Sequence, residues 1–147
     1  MLKLSDFRMI FGLLLRPLAS LMSRHEYRVY QRLDGINSIP ALGPRWGWRG
    51  YLHRYIEGQT LHEITPDGTL PDRFFDELAS ILSAVHARNV WYVDMNKRGN
   101  IICSTDGHPS LIDFQISVAF PTKRRLARAT MDAAFSSVDP RRFLSSL

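Results

Sequence analysis

A chain of 147 residues is long enough for one domain, or for two small lobes that share a core. With 45% hydrophobic and 22% charged residues it is an ordinary globular sequence and not a disordered tail. A net charge of +5 and a pI near 9.8 favour anionic partners such as phosphate, nucleic acid or acidic lipid, and a lone cysteine, Cys103, excludes an internal disulfide and fits a reducing compartment.

The chain opens on a short strand signal, Met1-Leu2-Lys3-Leu4, with one lysine between apolar neighbours. Residues 9–22 form the longest apolar run, interrupted by Arg16 and Pro17. The run is too short to span a bilayer. Asp6 precedes it and no small-residue cleavage site is clear, which argues against a signal peptide. It reads as a core or interfacial helix, with membrane-surface contact as the alternative.

Residues 23–34 read as a helix. Ser23 and Glu26 have capping-box spacing, Tyr27, Tyr30 and Leu33 make an apolar stripe, and Gly35 ends it. Residues 37–50 read as a loop, with Trp46 and Trp48 as core or interface aromatics. Residues 50–56 alternate as a strand does, and Glu57-Gly58 breaks it. Residues 71–88 give the clearest helix. Pro71 suits its first turn, and Phe74, Leu78, Ile81, Leu82 and Val85 share a face. His86, at its end, is expected to be packed. The five histidines lack metal-ligand spacing, so no zinc site is expected.

The chemistry concentrates in residues 86–114. An apolar run at 89–93 leads to Asp94 in a polar loop. Asn100 opens a second run, Ile101-Ile102-Cys103, in which Cys103 reads as a small buried hydrophobe. Thr105-Asp106-Gly107 is a turn signal, and Leu111-Ile112 leads into Asp113-Phe114. A loop followed by a short hairpin would bring Asn100 and Asp113 back beside Asp94. One amide oxygen and two carboxylates suit a hard divalent cation such as magnesium, with one carboxylate left as a base. Residues 118–147 are Arg-rich, with Lys123, Arg124, Arg125, Arg128, Arg141 and Arg142. Leu126, Met131, Phe135 and Phe143 give weak helical periodicity there, and Pro140 sets off a short tail.

The stretch around Asp94, Asn100 and Asp113 resembles the catalytic loop and magnesium-binding segment of the protein-kinase-like fold. The nearest resemblance is to small atypical members, the RIO-type and the lipopolysaccharide-core (Kdo or heptose) kinases. The resemblance implies an α+β fold, a reduced two-lobe kinase without the glycine-rich loop and most of the C-lobe. Residues 1–57 would be a reduced N-lobe and 58–147 a reduced C-lobe carrying the catalytic loop and metal hairpin. It implies ATP and Mg2+ as cofactors. Asp94 would be the catalytic base, and Asn100 and Asp113 would hold the metal. Lys3 would hold phosphates and pair with Glu26, Lys97 would reach the γ-phosphate, and residues 57–58 would be the hinge. The acceptor would be the hydroxyl of a saccharide, a lipid-linked saccharide or a protein Ser/Thr.

The sequence also departs from that pattern. Tyr92-Val93-Asp94 replaces H-R-D, one extra residue precedes Asn100, and Gln115 stands where a glycine is usual. Only two residues precede Lys3, so no G-x-G-x-x-G lies before it, and no A-P-E segment follows Asp113. An in-frame segment upstream of Met1 that carried the loop would make the chain a fragment of a full kinase. The alternative is a catalytically weak pseudokinase that binds nucleotide or a partner. A membrane-surface or nucleic-acid binder using the Arg-rich tail ranks lower, because no groove-reading motif is present. The location these features suggest is cytoplasmic, or peripheral at the inner membrane surface.

Overall fold

The computed structural model describes residues 1–4, 12–47, 50–64, 69–95 and 97–121. The elements run β1 (Leu2–Leu4), α1 (Gly12–Leu33), β2 (Leu42–Trp46), β3 (Gly50–His53), β4 (Gly58–Thr60), α2 (Phe74–Ala87), β5 (Val90–Trp91), a 3-10 turn (Arg98–Asn100), β6 (Ile101–Ser104), β7 (Pro109–Leu111) and β8 (Val118–Ala119). The class is mixed α and β, with small antiparallel sheets and two α-helices among the described residues.

Three sheets form. The first has the order β1-β3-β2, with Lys3 opposite Tyr51. The second, β4-β6-β7, contains the expected hairpin, with Ile101 opposite Leu111. The third is the short pair β5-β8. A single apolar cluster joins α1 (Val29, Tyr30, Leu33) to Tyr51 of β3, the inner face of α2, and Leu111 and Phe114. Burying α2's apolar face, Phe74, Leu78, Ile81, Leu82 and Val85, sets its orientation. His86 is buried there, as expected.

Several local expectations change. The expected helices at 9–22 and 23–34 are one continuous α1 over the described residues 12–33. Ser23 therefore lies mid-helix and caps nothing; its hydroxyl has no partner among the described residues. Helix spacing puts Ser23 and Glu26 on one face whether or not a helix begins there, so the capping-box pattern was ambiguous. Gly35, at φ +84°, takes the left-handed turn beyond the helix end. The expected loop 37–50 contains β2, which pairs with β3 through an irregular register. Trp46 is 63% exposed rather than core, because β2 is an edge strand.

The expected strand at 89–93 is only Val90–Trp91, since Asn89 takes φ +56° and breaks the extended run. Val118–Ala119 forms a short strand, in a segment the sequence marks only as Arg-rich. Trp48, the basic cluster 123–128, the 126–143 periodicity and Pro140 lie outside the described residues. Among the described residues, no helix is long and apolar enough to cross a membrane.

Candidate active site

The site forms where β1, α1, the β6–β7 hairpin and the segment after β7 meet. β1 presents Lys3 by pairing its backbone with Tyr51 on β3. α1 presents Glu26 from its buried face, where its side chain is fully excluded from solvent. The two meet with Lys3 Nζ donating to Glu26 Oε1 at 2.6 Å. Lys3 also donates to Asp113 Oδ1 at 2.8 Å. The same Glu26 oxygen accepts the Phe114 N–H at 3.2 Å. One carboxylate oxygen thus ties the strand lysine to the backbone beside Asp113.

The electrostatics of the two carboxylates differ. Burial raises the Glu26 pKa above the usual carboxylate range, and Lys3 only partly offsets it. Burial also pushes Asp113 upward, but Lys3 and the Gln115 N–H more than offset this and hold it below its usual range. Asp113 is therefore held as a carboxylate. The residue in the usual glycine position contributes its backbone N–H to that carboxylate. The left-handed backbone falls on Asp113 itself, at φ +61°, and not on Gln115.

Asn100 ends the 3-10 turn and enters β6. The Ile112 N–H donates to the Asn100 carbonyl at 3.0 Å, so the hairpin ends are in register beside each other. Asn100 is 8% exposed, and its amide nitrogen has no partner among the described residues. Asn100 and Asp113 line one cavity of about 360 Å³, together with Lys3, Tyr30, His53, Thr60 and Glu63. A buried amide without a partner is costly unless a ligand completes it. Its oxygen and nitrogen are interchangeable by a flip. An amide and an ionised carboxylate on one cavity wall fit a magnesium ion, which takes one or two protein ligands plus phosphate and water oxygens. Among the described residues no group of three His, Cys, Asp or Glu offers a stand-alone metal cage. A magnesium held here would take its remaining oxygens from phosphate and water.

Asp94 lies outside that cavity wall, in the loop after β5. Lys97 Nζ donates to Asp94 Oδ2 at 2.7 Å. Lys97 also feels the charge of Asp113, so Asp94, Lys97 and Asp113 belong to one electrostatic neighbourhood. Lys97 is 61% exposed, and its ammonium rests on Asp94.

Sequence reasoning missed the tyrosines. Tyr92 is buried, and its hydroxyl donates to the Ile112 carbonyl at 2.7 Å. Tyr30 is buried beside Phe114, with ring centroids 5.2 Å apart. Both appear in sequence as members of apolar runs, which hides their hydroxyls. Glu63 and Thr60, where the Glu63 carboxylate accepts the Thr60 N–H at 2.8 Å, are also missed at the cavity mouth. The turn that makes this contact follows β4 and has no local sequence signal.

No sequence family matches the chain, and no curated protein matches it in sequence. Among solved structures, monomeric WbdD aligns at a TM-score of 0.60 with 20% identity, over 92% of this chain and 32% of that one. WbdD in complex with the kinase inhibitor LY294002 aligns at 0.60 with 15% identity, over 94% of this chain and 33% of that one. The fold is therefore kinase-like, and the chain spans about a third of the length of these structures.

Proposed function

We propose that the chain is an ATP- and magnesium-dependent phosphotransferase that acts on a hydroxyl acceptor, as the RIO-type and lipopolysaccharide-core kinases it resembles do. The observation that carries this reading is the junction at Lys3. One ammonium contacts buried Glu26 and ionised Asp113, and Asn100 faces the same cavity with an unpartnered amide. Likeness to a fold crystallised with a kinase inhibitor supports it.

In this reading residues 1–57 act as a reduced N-lobe and 58–147 as a reduced C-lobe. Magnesium, when bound, supplies positive charge against the phosphates, with Asn100 and Asp113 as its protein ligands. Lys3 turns its ammonium to the phosphates, and Glu26 fixes its position. Asp94 orients the acceptor hydroxyl and takes its proton as the oxygen bonds to the γ-phosphorus and the bond to the β-phosphate oxygen breaks. Such a base contributes about 10²–10⁴-fold. Lys97 moves from Asp94 toward the transferring phosphoryl group. The acceptor is a saccharide, a lipid-linked saccharide or a protein hydroxyl, with an anionic membrane surface as a further partner for the Arg-rich tail.

A second reading, a nucleotide-binding pseudokinase, is favoured by one contact. The Lys97 ammonium sits on Asp94 Oδ2, an oxygen that the group assigned as base would need for the acceptor hydroxyl. ATP consumption with saccharide and protein acceptors separates the two. Turnover that Asp94→Ala abolishes, with magnesium–ATP binding retained, supports the phosphotransferase. Binding without turnover for any acceptor supports the pseudokinase.

A further inference from the structure

The segment from Ile112 to Phe114 is held by groups that the phosphotransfer reading does not use. Asp113 has a left-handed backbone at φ +61°, which costs a non-glycine residue roughly 1 kcal/mol or more unless neighbours hold it. Three side chains surround that turn. Before it, Tyr92 donates its hydroxyl to the Ile112 carbonyl at 2.7 Å. At it, the Tyr30 hydroxyl is within hydrogen-bonding reach of the Asp113 backbone. After it, Glu26 accepts the Phe114 N–H. Both tyrosine rings pack on Phe114, at 5.2 Å for Tyr30 and 4.9 Å for Tyr92.

The rings and the hydroxyls therefore have separate jobs. The rings fill the core and hold Phe114. The hydroxyls reach past the ring contact to the backbone that aims the Asp113 carboxylate. A core serving packing alone would use phenylalanine at both positions, because a buried hydroxyl is unfavourable without a partner.

We infer that the hydroxyls of Tyr30 and Tyr92 are positioning groups that hold the Ile112–Asp113–Phe114 turn in its left-handed conformation and so aim Asp113 and Asn100 at one cation. The cation part of this inference rests on the metal reading above, and the backbone part does not.

The test uses the full chain with Tyr30→Phe, Tyr92→Phe and the double variant. These changes keep the rings and remove only the oxygens. Two readouts are taken. Hydrogen exchange of the Asp113 and Phe114 amides reports the turn without any ligand. Electron paramagnetic titration of manganese ion, with and without ATP, reports the cation site. The expected result is faster exchange at 113–114 in each variant. Manganese affinity in the presence of ATP should also weaken by about tenfold, the usual scale for groups that orient a metal ligand. Unchanged amide exchange in both single variants overturns the inference. So does faster exchange with unchanged manganese affinity, because the hydroxyls would then hold the turn without serving the site. If the wild-type chain binds no manganese, the metal reading fails, and amide exchange alone decides whether the hydroxyls hold the turn. Should one single variant fail to fold, the other is scored by the same two readouts.

Discussion

Lys3 and Glu26, separated by 23 residues of sequence, meet at 2.6 Å with the carboxylate fully buried and the ammonium 23% exposed. The Glu26 oxygen that receives Lys3 also receives the Phe114 N–H. Removing Glu26 leaves a buried amide without its acceptor and a lysine with one carboxylate instead of two. Glu26→Ala should destabilise the chain by about 2–3 kcal/mol, at the lower edge of a broken buried pair because Lys3 is partly solvated. Glu26→Gln should lose less, since its amide oxygen can still accept the Phe114 N–H. Urea unfolding midpoints measure both. Equal losses in the two variants would show that the Phe114 bond contributes nothing.

Gly58 opens β4 hard against β6. A Cβ built there would lie 2.2 Å from the Cys103 carbonyl oxygen and 2.7 Å from Ser104 Cα. Both obstacles are backbone, so no rotamer change relieves them. Gly58→Ala should separate β4 from β6 and cost about 2 kcal/mol or more, among the larger effects of single substitutions. Thermal unfolding of the variant checks this, and a change below about 0.5 kcal/mol would contradict the close packing.

The hairpin and α2 are joined by a pH-sensitive contact. His108 Nδ1 lies 2.7 Å from Glu77 Oε2, and that bond raises the histidine pKa above its usual 6.5. A raised folded-state pKa means the contribution is complete below 6.5 and lost as pH rises through the higher folded value. The melting temperature of the wild type should therefore fall slightly from pH 6 toward pH 8, on the order of the window set by these values. His108→Gln should flatten that part of the profile. The pair is exposed, so the effect is small and should shrink further in high salt.

How much of this was legible in sequence varies with how local the signal is. The β6–β7 hairpin was readable because Thr105-Asp106-Gly107 is a local turn signal between two apolar runs. α2 was readable from its own periodicity. The proximity of Lys3 to Glu26 came only with the kinase-like resemblance, since no local pattern links residues so far apart. The start of α1 was misread because a serine and a glutamate three apart share a helix face anywhere along a helix, not only at its beginning. β2 was missed because Pro44 and two glycines nearby suggest a loop, and its pairing with β3 is a long-range fact. The tyrosine hydroxyls at the Asp113 turn were invisible because periodicity counts a tyrosine as apolar.

Asp94 and Asp113 should separate cleanly on mutation. Asp94→Ala should keep most of the magnesium–ATP affinity and lose turnover by about 10²-fold or more, since a base acts on the acceptor and not on ATP. Equilibrium binding and steady-state ATP consumption measure the two effects. A parallel loss of binding and turnover would instead make Asp94 part of the nucleotide site.

The most direct measurement is the thermal shift of the folded chain on adding magnesium–ATP. A ligand that binds only the native state adds about 2.7 kcal/mol at a hundredfold excess over Kd. The proposed site predicts such a shift for the wild type, retained in Asp94→Ala and abolished in Asp113→Ala. No magnesium–ATP shift, in wild-type chain shown to be folded, would contradict both the phosphotransferase and the pseudokinase readings.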